Sequence, residues 1–269
     1  MAEAAFGRLA AALGWTGRRT LSLGAYLLDL TIFAVKAIRD WSGHGRLFNR
    51  ATLQTLISQI IFTGVDALPV VTLLALAVGL SITSQILSLA QALGSERDVA
   101  VLLTNIVGVE LSSLLTAIVL IGRSGSAIAV DLGSMKLHRE VEGLELLGIN
   151  VNTFFVTPRV LGAAVAQFTL AIYFAAIALF GGVFLNGLLF STVYAQQLVR
   201  MAEALQPSQL VVFALKNLLF GVIIAATACF HGLRVQTSPT ELPQQTQRAI
   251  VTSLVLVFLV DGLLAVVAR

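Results

Sequence analysis

Five long apolar runs are the feature that most restricts how this chain of 269 residues can fold. They lie near 64–90, 99–121, 158–188, 209–230 and 249–268. Each run is long enough to cross a bilayer, which takes about 20 residues. Charged residues make up only 12% of the chain, against about 25% in a typical soluble domain, so lipid must solvate most of it. We therefore expect an all-α integral membrane protein whose membrane domain of five spans covers 51–269.

The stretch before the first run, residues 21–39, is apolar but carries three polar side chains at seven-residue spacing. On a helix, Ser22, Asp29 and Lys36 align as one polar stripe. Such a stripe suits the membrane interface better than the bilayer centre. We therefore expect residues 1–50 to form cytoplasmic and interfacial helices. A sixth span over residues 21–39 is the alternative.

The distribution of basic residues predicts the orientation of the spans. In a five-span arrangement, thirteen of the 17 Lys and Arg residues fall on one side of the membrane and four on the other. Cytoplasmic loops are enriched in Lys and Arg, so we expect a cytoplasmic N-terminus and an outer C-terminus. On the outer side, residues 191–208 predict a short amphipathic segment. Its apolar side chains at helical spacing are Tyr194, Leu198, Met201 and Leu205.

The segment 121–159 separates the second and third runs and is the most informative part of the chain. It opens with small residues, which let membrane helices approach closely, and then becomes charged. Leu137, Val141 and Leu144 recur at the spacing of one helix face, which predicts a short cytoplasmic helix. Such a helix can dock into a groove on a soluble partner. A merely solvated loop helix is the alternative.

The same segment carries a family resemblance. Its residues are the run from Gly122 to Lys136, then Glu142, Leu144, Glu145, Gly148 and the triplet Thr157-Pro158-Arg159. With these residues the chain resembles the MlaE/YrbE family of permeases, which work with MCE proteins in bacterial lipid transport. Gly64-Val65, Leu68-Pro69 and Asp261 extend the resemblance over about 200 residues. Glu110 is kept where the family often has an Arg-Glu pair, although the Arg is absent here.

The resemblance implies an assembly as well as a fold. Members of this family form homodimers of five-span subunits in the bacterial inner membrane, each with an N-terminal interfacial (elbow) helix. The implied partners are a cytoplasmic ABC ATPase dimer, a periplasmic MCE-domain protein, expected as a hexamer, and a small cytoplasmic STAS-type subunit. The helix between the second and third spans would be the coupling helix that contacts the ATPase. Its candidate residues are Lys136, Leu137, Arg139, Glu140, Val141, Glu142, Leu144 and Glu145.

The resemblance also implies a cavity for phospholipid or a similar lipid, formed near the dimer axis by spans one, two and five. The candidate substrate-binding residues are Leu80, Gln85, Glu110, Arg123 and Asp261. An ionisable group inside a span is costly and therefore a functional candidate.

Each of these ionisable groups also has a structural interpretation. Glu110 could bond a neighbouring group while protonated instead of lining the cavity, and for Asp261 we favour a structural hydrogen bond. Arg123 could anchor the helix end or meet a phosphate headgroup. Lys216 is expected to extend to the outer interface.

Several classes of function are excluded or disfavoured. The sequence has no G-x-x-x-x-G-K-[ST] motif, so an ATPase would be a separate polypeptide and this chain a transporter subunit, not an enzyme. We expect no cofactor and no metal, because His44, His138 and His231 show no ligand spacing. Nucleic acid is not expected, because the basic residues follow membrane topology. An ion-coupled secondary transporter with Glu110 and Asp261 carrying protons is the alternative function.

Overall fold

The computed structural model describes residues 24–39, 50–93, 101, 103–190, 207–236 and 238–267. Five helices in this part of the chain are long and apolar enough to cross a membrane, which confirms the five predicted spans. We number them spans 1 to 5: Leu53–Ile86, Thr104–Leu137, Asn152–Leu188, Pro207–Gly232 and Glu241–Val266. The amphipathic segment predicted for 191–208 lies outside the described residues except for its last two.

Span 1 consists of two helices joined by a tight turn. Before span 1, helix α1 occupies 24–39. Within span 1, α2 is Arg50–Gly64, a 3₁₀ turn covers Val65–Ala67, and α3 is Leu68–Leu93. Pro69 lies at the start of α3, where its missing N–H costs little. Span 1 therefore begins at Leu53, about three helical turns before the predicted start at 64. Residue 64 lies directly before the 3₁₀ turn.

Span 2 continues well past the predicted end at residue 121. It runs through a π-helical segment Thr104–Leu111, α4 Ser112–Leu120, a second π-helical segment Ile121–Gly125 and α5 Ser126–Leu137. The segment after residue 121 therefore remains helical to Leu137 and is not a loop. Small residues do not end this helix; they let it pack, as at Gly133, where a Cβ would lie 2.5 Å from Leu242 Cδ1.

A turn separates span 2 from the short helix α6, Glu140–Leu146. Arg139 lies in this turn with φ of 59°. Lys136 and Leu137 therefore end α5 and do not belong to α6. The prediction that Leu137 shares one helix face with Val141 and Leu144 was wrong, because periodicity alone does not reveal a turn between them.

Span 3 is the centre of the bundle and packs against spans 1, 2 and 4. A π-helical segment, Asn152–Val156, leads into α7, Thr157–Phe190; span 4 is α8, Pro207–Gly232, and span 5 lies in α9, Glu241–Val267. Glycine permits the closest helix approaches. A Cβ on Gly79 would lie 2.3 Å from the Ala178 carbonyl oxygen, and one on Gly221 would lie 2.4 Å from Ala164 Cα.

Helix α1 packs across one end of the bundle. Near its start, the Tyr26 hydroxyl lies 2.7 Å from His231 Nε2 at the end of span 4. Near its end, the Thr157 hydroxyl at the start of α7 donates to the Ala37 carbonyl oxygen over 3.1 Å. Both contacts are at the end of the bundle that carries α6. The outward side of α1 is apolar and includes Leu28, Ile32 and Val35.

Candidate functional site

Three charged side chains from three different spans meet inside the bundle. Lys216 Nζ of span 4 lies 2.6 Å from Glu110 Oε2 of span 2 and 2.5 Å from Asp261 Oδ1 of span 5. We call these three residues the ion cluster. Each of them lies nearer to the end of its span that is opposite α6.

The three members of the ion cluster differ in exposure. The side chains of Lys216 and Asp261 are 2% and 13% exposed, whereas that of Glu110 is 42% exposed. A buried ammonium needs carboxylate partners, because removing its charge from water costs several kcal/mol. The cluster therefore fixes Lys216 inside the bundle and leaves the Glu110 carboxylate accessible from one side of span 2.

The local helix geometry positions Glu110. It lies in the first π-helical segment of span 2, and such widened turns occur frequently at functional sites. The hydroxyls that follow bond back to the carbonyls of this segment: Ser112 Oγ donates to Gly108 O over 2.5 Å, and Ser113 Oγ donates to Val109 O over 2.8 Å. These bonds stabilise the turn that presents the carboxylate. Because span 2 continues to Leu137, Glu110 lies in the half of the span that is opposite α6.

A neutral hydrogen-bonded core lies next to the ion cluster. Gln167 Nε2 of span 3 donates to Thr116 Oγ1 over 3.0 Å and to Asn217 Oδ1 over 3.1 Å. Asn217 Nδ2 in turn donates to Ser113 Oγ over 2.9 Å. Gln167, Asn217, Ser113 and Thr116 are all buried. This network joins spans 2, 3 and 4, and its member Asn217 is next to Lys216 in the sequence. It therefore stabilises the helix packing around the ion cluster.

Arg123 is not part of the ion cluster. Thirteen residues along one helix separate it from Glu110, a rise of about 20 Å. Its guanidinium lies 3.3 Å from Asp66 Oδ2 and donates to the Phe62 carbonyl oxygen over 2.7 Å. Arg123 thus connects span 2 to the turn in span 1. This contact fits the anchoring interpretation of Arg123.

The remaining predicted substrate-binding residues, Leu80 and Gln85, lie on span 1. The Leu80 carbonyl oxygen accepts a bond from Asn186 Nδ2 over 3.4 Å. Gln85 is exposed, and its amide donates to Ser81 Oγ over 3.3 Å. The structure thus brings Glu110 and Asp261 together through Lys216. Among the described residues, neither carboxylate has a polar contact with Leu80, Gln85 or Arg123.

Sequence reasoning missed the role of Lys216. The prediction that this side chain extends to the outer interface was wrong, because the ammonium is buried between two carboxylates. Its position inside the fourth apolar run was the available signal, since an ionisable residue within a span implies a partner. Asp261 likewise holds an ion pair, where the sequence favoured a hydrogen bond.

The predicted coupling residues surround α6. Val141 is buried, while Leu146 and Leu147 are 89% and 77% exposed. Lys136 Nζ lies 2.5 Å from Glu142 Oε1 and ties α6 to the end of span 2. The hydrogen bond from Lys136 lowers the pKa of Glu142 below its ordinary value. The apolar groups that α6 offers to a partner are thus its last leucines.

The remaining predicted coupling residues on α6 are polar or partly covered. Arg139 occupies the turn before α6, and Glu140 and Glu145 are exposed. Leu144 is only half-buried. A partner that approaches α6 would therefore meet charged side chains around the apolar end of the helix.

Comparisons with known proteins agree with this architecture. The family described as "Permease MlaE" matches residues 56–267. The chain is 29% identical over 221 residues to the Arabidopsis thaliana Protein TRIGALACTOSYLDIACYLGLYCEROL 1, chloroplastic, covering 82% of this chain but only 62% of that protein. It is 27% identical over 247 residues to a probable ABC transporter permease protein of Synechocystis sp., covering 90% of both chains. A probable ABC transporter permease protein of Rickettsia bellii is 23% identical over 248 residues, 92% of this chain and 94% of that one.

Proposed function

Because this chain belongs to the MlaE permease family, we propose that it is the membrane subunit of an ABC transporter that moves phospholipid or a similar lipid. The chain is a multi-pass membrane protein with five spans. A separate ATPase would drive the movement, and an MCE-domain protein would exchange the lipid on the other side of the membrane. The name of the Arabidopsis relative, which contains that of a galactolipid, is consistent with a lipid substrate.

The observation that carries this proposal is the half-exposed carboxylate of Glu110 within the ion cluster. A charge that faces lipid tails costs at least about 2.5–3.5 kcal/mol. The exposed side of Glu110 must therefore be covered by something more polar than lipid tails. A cavity that takes a lipid headgroup meets this requirement.

A second copy of the chain would form that cavity. Glu110 and Asp261 lie on spans 2 and 5, and span 5 is the least buried of the five in the single chain. In a homodimer, the Glu110 side of span 2 and the last turns of span 5, which carry the exposed Leu263 and Val266, would face their counterparts. The lipid headgroup would then approach the two carboxylates, and Lys216 would hold them in place.

The ATPase would act on α6. Leu146 at the end of α6 and the adjacent Leu147 are exposed apolar groups outside the spans that need a protein partner. The Lys136–Glu142 pair would transmit a push on α6 to span 2, and span 2 carries Glu110. A nucleotide-driven movement of α6 would thereby reach the ion cluster along one helix.

The contacts of α1 support its assignment as the interfacial elbow helix. It bonds to spans 3 and 4 at the same end of the bundle, and its apolar side is exposed. A helix that lay across the bundle at the membrane surface would make these contacts, whereas a sixth span would not. We propose that this end of the bundle faces the cytoplasm, because it carries most of the basic residues. The membrane would be a bacterial inner membrane. The MCE-domain and STAS-type partners rest on the family resemblance alone.

Reconstitution tests the proposed function directly. The chain is purified from its native host with whatever ATPase remains bound and placed in vesicles that contain fluorescent phospholipid. We expect ATP-dependent transfer of the phospholipid to an added MCE-domain acceptor. A vesicle sample with a Walker A Lys→Ala ATPase is the matched control and should show no transfer.

The other outcomes of this experiment are equally clear. Transfer that runs at the same rate without ATP, but stops when the ion gradient is removed, would assign the chain to ion-coupled transport. Recovery of the chain with no ATPase under mild detergent conditions would count against an ABC permease. A water-soluble cargo in place of lipid would overturn the substrate class.

A further inference from the structure

A cavity lies at the opposite end of the bundle from the ion cluster. It has a volume of about 480 Å³ and lies between α1, the end of span 4 and the start of span 5. Its lining includes Tyr26 of α1, His231 and Arg234 after span 4, and Gln245, Arg248 and Val251 of span 5. We call it the basal cavity. It is on the end that carries α6, and neither the ion cluster nor α6 contributes to it.

The charge of the basal cavity is positive. Its described lining contains two arginines and no Asp or Glu. Arg234 forms an ion pair with Asp29 of α1, with 3.7 Å between its guanidinium and Asp29 Oδ2. Arg248 is exposed and has no ion-pair partner among the described residues. A membrane-associated cavity with an unpaired guanidinium therefore favours an anion.

The aromatic and amide groups of the cavity are held in fixed positions. Gln245 Oε1 can only accept a hydrogen bond, so His231 Nδ1, at 3.0 Å, must donate to it. The other ring nitrogen, Nε2, lies 2.7 Å from the Tyr26 hydroxyl. The Arg234 guanidinium stacks on the Phe230 ring, 4.0 Å from its centroid. Arg234 is therefore pre-oriented, and binding a ligand there costs little side-chain entropy.

An apolar stripe on span 5 leads out of the basal cavity toward the bilayer. Val251 lines the cavity, and Val255, Phe258 and Leu259 continue its exposed side along the helix at spacings of three and four residues. All four side chains are at least half-exposed. The site thus has a cationic pocket at the membrane end and a hydrocarbon-compatible surface that continues into the membrane.

We propose that the basal cavity binds the phosphate group of a membrane phospholipid, with one acyl chain along the Val251–Leu259 stripe. Arg248 and Arg234 bind the phosphate oxygens, for which the planar guanidinium is well matched. A free anion would use the arginines but not the stripe, which is why the lipid is the expected occupant. This site is separate from the cavity of the proposed function, and it would be occupied by lipid that the protein does not transport.

Native mass spectrometry of the purified full-length chain tests this proposal. The probe is dihexanoyl phosphatidylglycerol below its micellar concentration. We expect Arg248→Gln to weaken binding of the lipid about tenfold, as expected for the loss of one charge-assisted contact. Gln247→Glu, which adds a carboxylate to the cavity lining, should weaken binding to a similar degree. The matched control is Lys36→Gln, which removes one exposed charge from α1 outside the cavity and should change binding less than twofold.

Three results would overturn the proposal. Unchanged lipid affinity in both Arg248→Gln and Gln247→Glu would show that the cavity does not hold the phosphate. Displacement of the lipid by an equal concentration of inorganic phosphate would show a free-anion site. A loss of dimer mass in Arg248→Gln, with no change in lipid count, would assign this face to contact between subunits. None of these results depends on whether the chain transports lipid.

Discussion

Lys216 of span 4 and Asp261 of span 5 form an ion pair, with 2.5 Å between Nζ and Oδ1. The same ammonium lies 2.6 Å from Glu110 of span 2. One buried cation therefore holds three helices together at the end of the bundle opposite α6. A rearrangement of any of the three spans must change this contact, so the cluster is a site where helix movement and substrate binding can be coupled.

Removal of the shared cation should destabilise the fold. In Lys216→Met, two carboxylates remain inside the bundle with no counter-charge, and breaking a buried ion pair typically costs about 3–5 kcal/mol. We expect a large loss of thermal stability, measured by size-exclusion chromatography of heated detergent extracts. The triple variant Lys216→Met, Glu110→Gln, Asp261→Asn removes all three charges and should recover most of the stability. Equal stability of Lys216→Met and the wild type would show that the cluster does not hold the spans together.

The apolar runs predicted the number of spans, because about 20 consecutive apolar residues have few alternatives to a membrane helix. Their ends were less predictable. Span 2 extends to Leu137 because small and polar residues such as Ser124 and Gly133 pack between helices, and composition alone cannot distinguish that from a loop.

The candidate site was only partly predictable. Glu110 and Asp261 were chosen as isolated charges in apolar runs. In the structure, both carboxylates pair with the same cation, Lys216. The side chain of Lys216 was predicted at the outer interface but is buried, because its burial depends on which side of span 4 faces the bundle interior. The burial of Val141 could not be predicted for the same reason, since it depends on how α6 packs. Periodicity therefore identified the α6 segment but not which side of the helix is exposed.

The orientation of the bundle can be tested by labelling. The native Cys229 is buried and should not react. A cysteine at exposed Ser208, at the start of span 4, should react with a membrane-impermeant maleimide in intact spheroplasts. A cysteine at Leu147, beside α6 and 77% exposed, should react only after permeabilisation. The reverse pattern would invert the topology predicted from the basic residues.

The exposed leucines of α6 should be required for ATPase binding. Leu146→Asp places a charge in an apolar contact, so we expect the ATPase to be lost on co-purification while the chain remains in the membrane. Gln244→Asp adds the same charge at another exposed position on this end of the bundle and should retain the ATPase. Leu144→Asp should have a weaker effect than Leu146→Asp, because Leu144 is partly covered. Full ATPase recovery with Leu146→Asp would leave α6 as a solvated loop helix.

The Lys136–Glu142 pair should not act as a pH switch near neutrality. Lys136 lowers the pKa of Glu142, so the stabilisation is present above the ordinary carboxyl range and is lost only as pH falls through the lowered pKa. We expect hydrogen exchange of the α6 amides, corrected for intrinsic rate, to be constant from pH 8 to pH 6. Glu142→Gln should exchange faster across this range, and the exposed Glu140→Gln should not. A rise in wild-type exchange between pH 8 and pH 6 would contradict the direction of this shift.

Glu110 distinguishes a cavity residue from a structural one. Its carboxylate is the most exposed of the ion cluster, at 42%, so its substitution should disturb packing less than that of Lys216. Glu110→Gln keeps the size and hydrogen-bonding capacity of the side chain, whereas Glu110→Leu removes both the charge and the polar atoms. If Glu110 contacts the lipid headgroup, both variants should assemble with the ATPase and transfer lipid more slowly, with Leu slower than Gln.

A structural role for Glu110 predicts a different order of effects. Glu110→Leu would then leave Lys216 with Asp261 alone and reduce the amount of folded protein before any loss of transfer per molecule. The measurement is therefore lipid transfer normalised to folded protein. The control is Thr169→Leu, since Thr169 is exposed on span 3 and its hydroxyl donates to the Val165 carbonyl oxygen of the same helix. Normal normalised transfer by Glu110→Leu would falsify a functional role for this carboxylate. A reduced rate in Glu110→Leu with normal transfer in Thr169→Leu would place the headgroup at the ion cluster, because only there would a polar contact with the lipid have been lost.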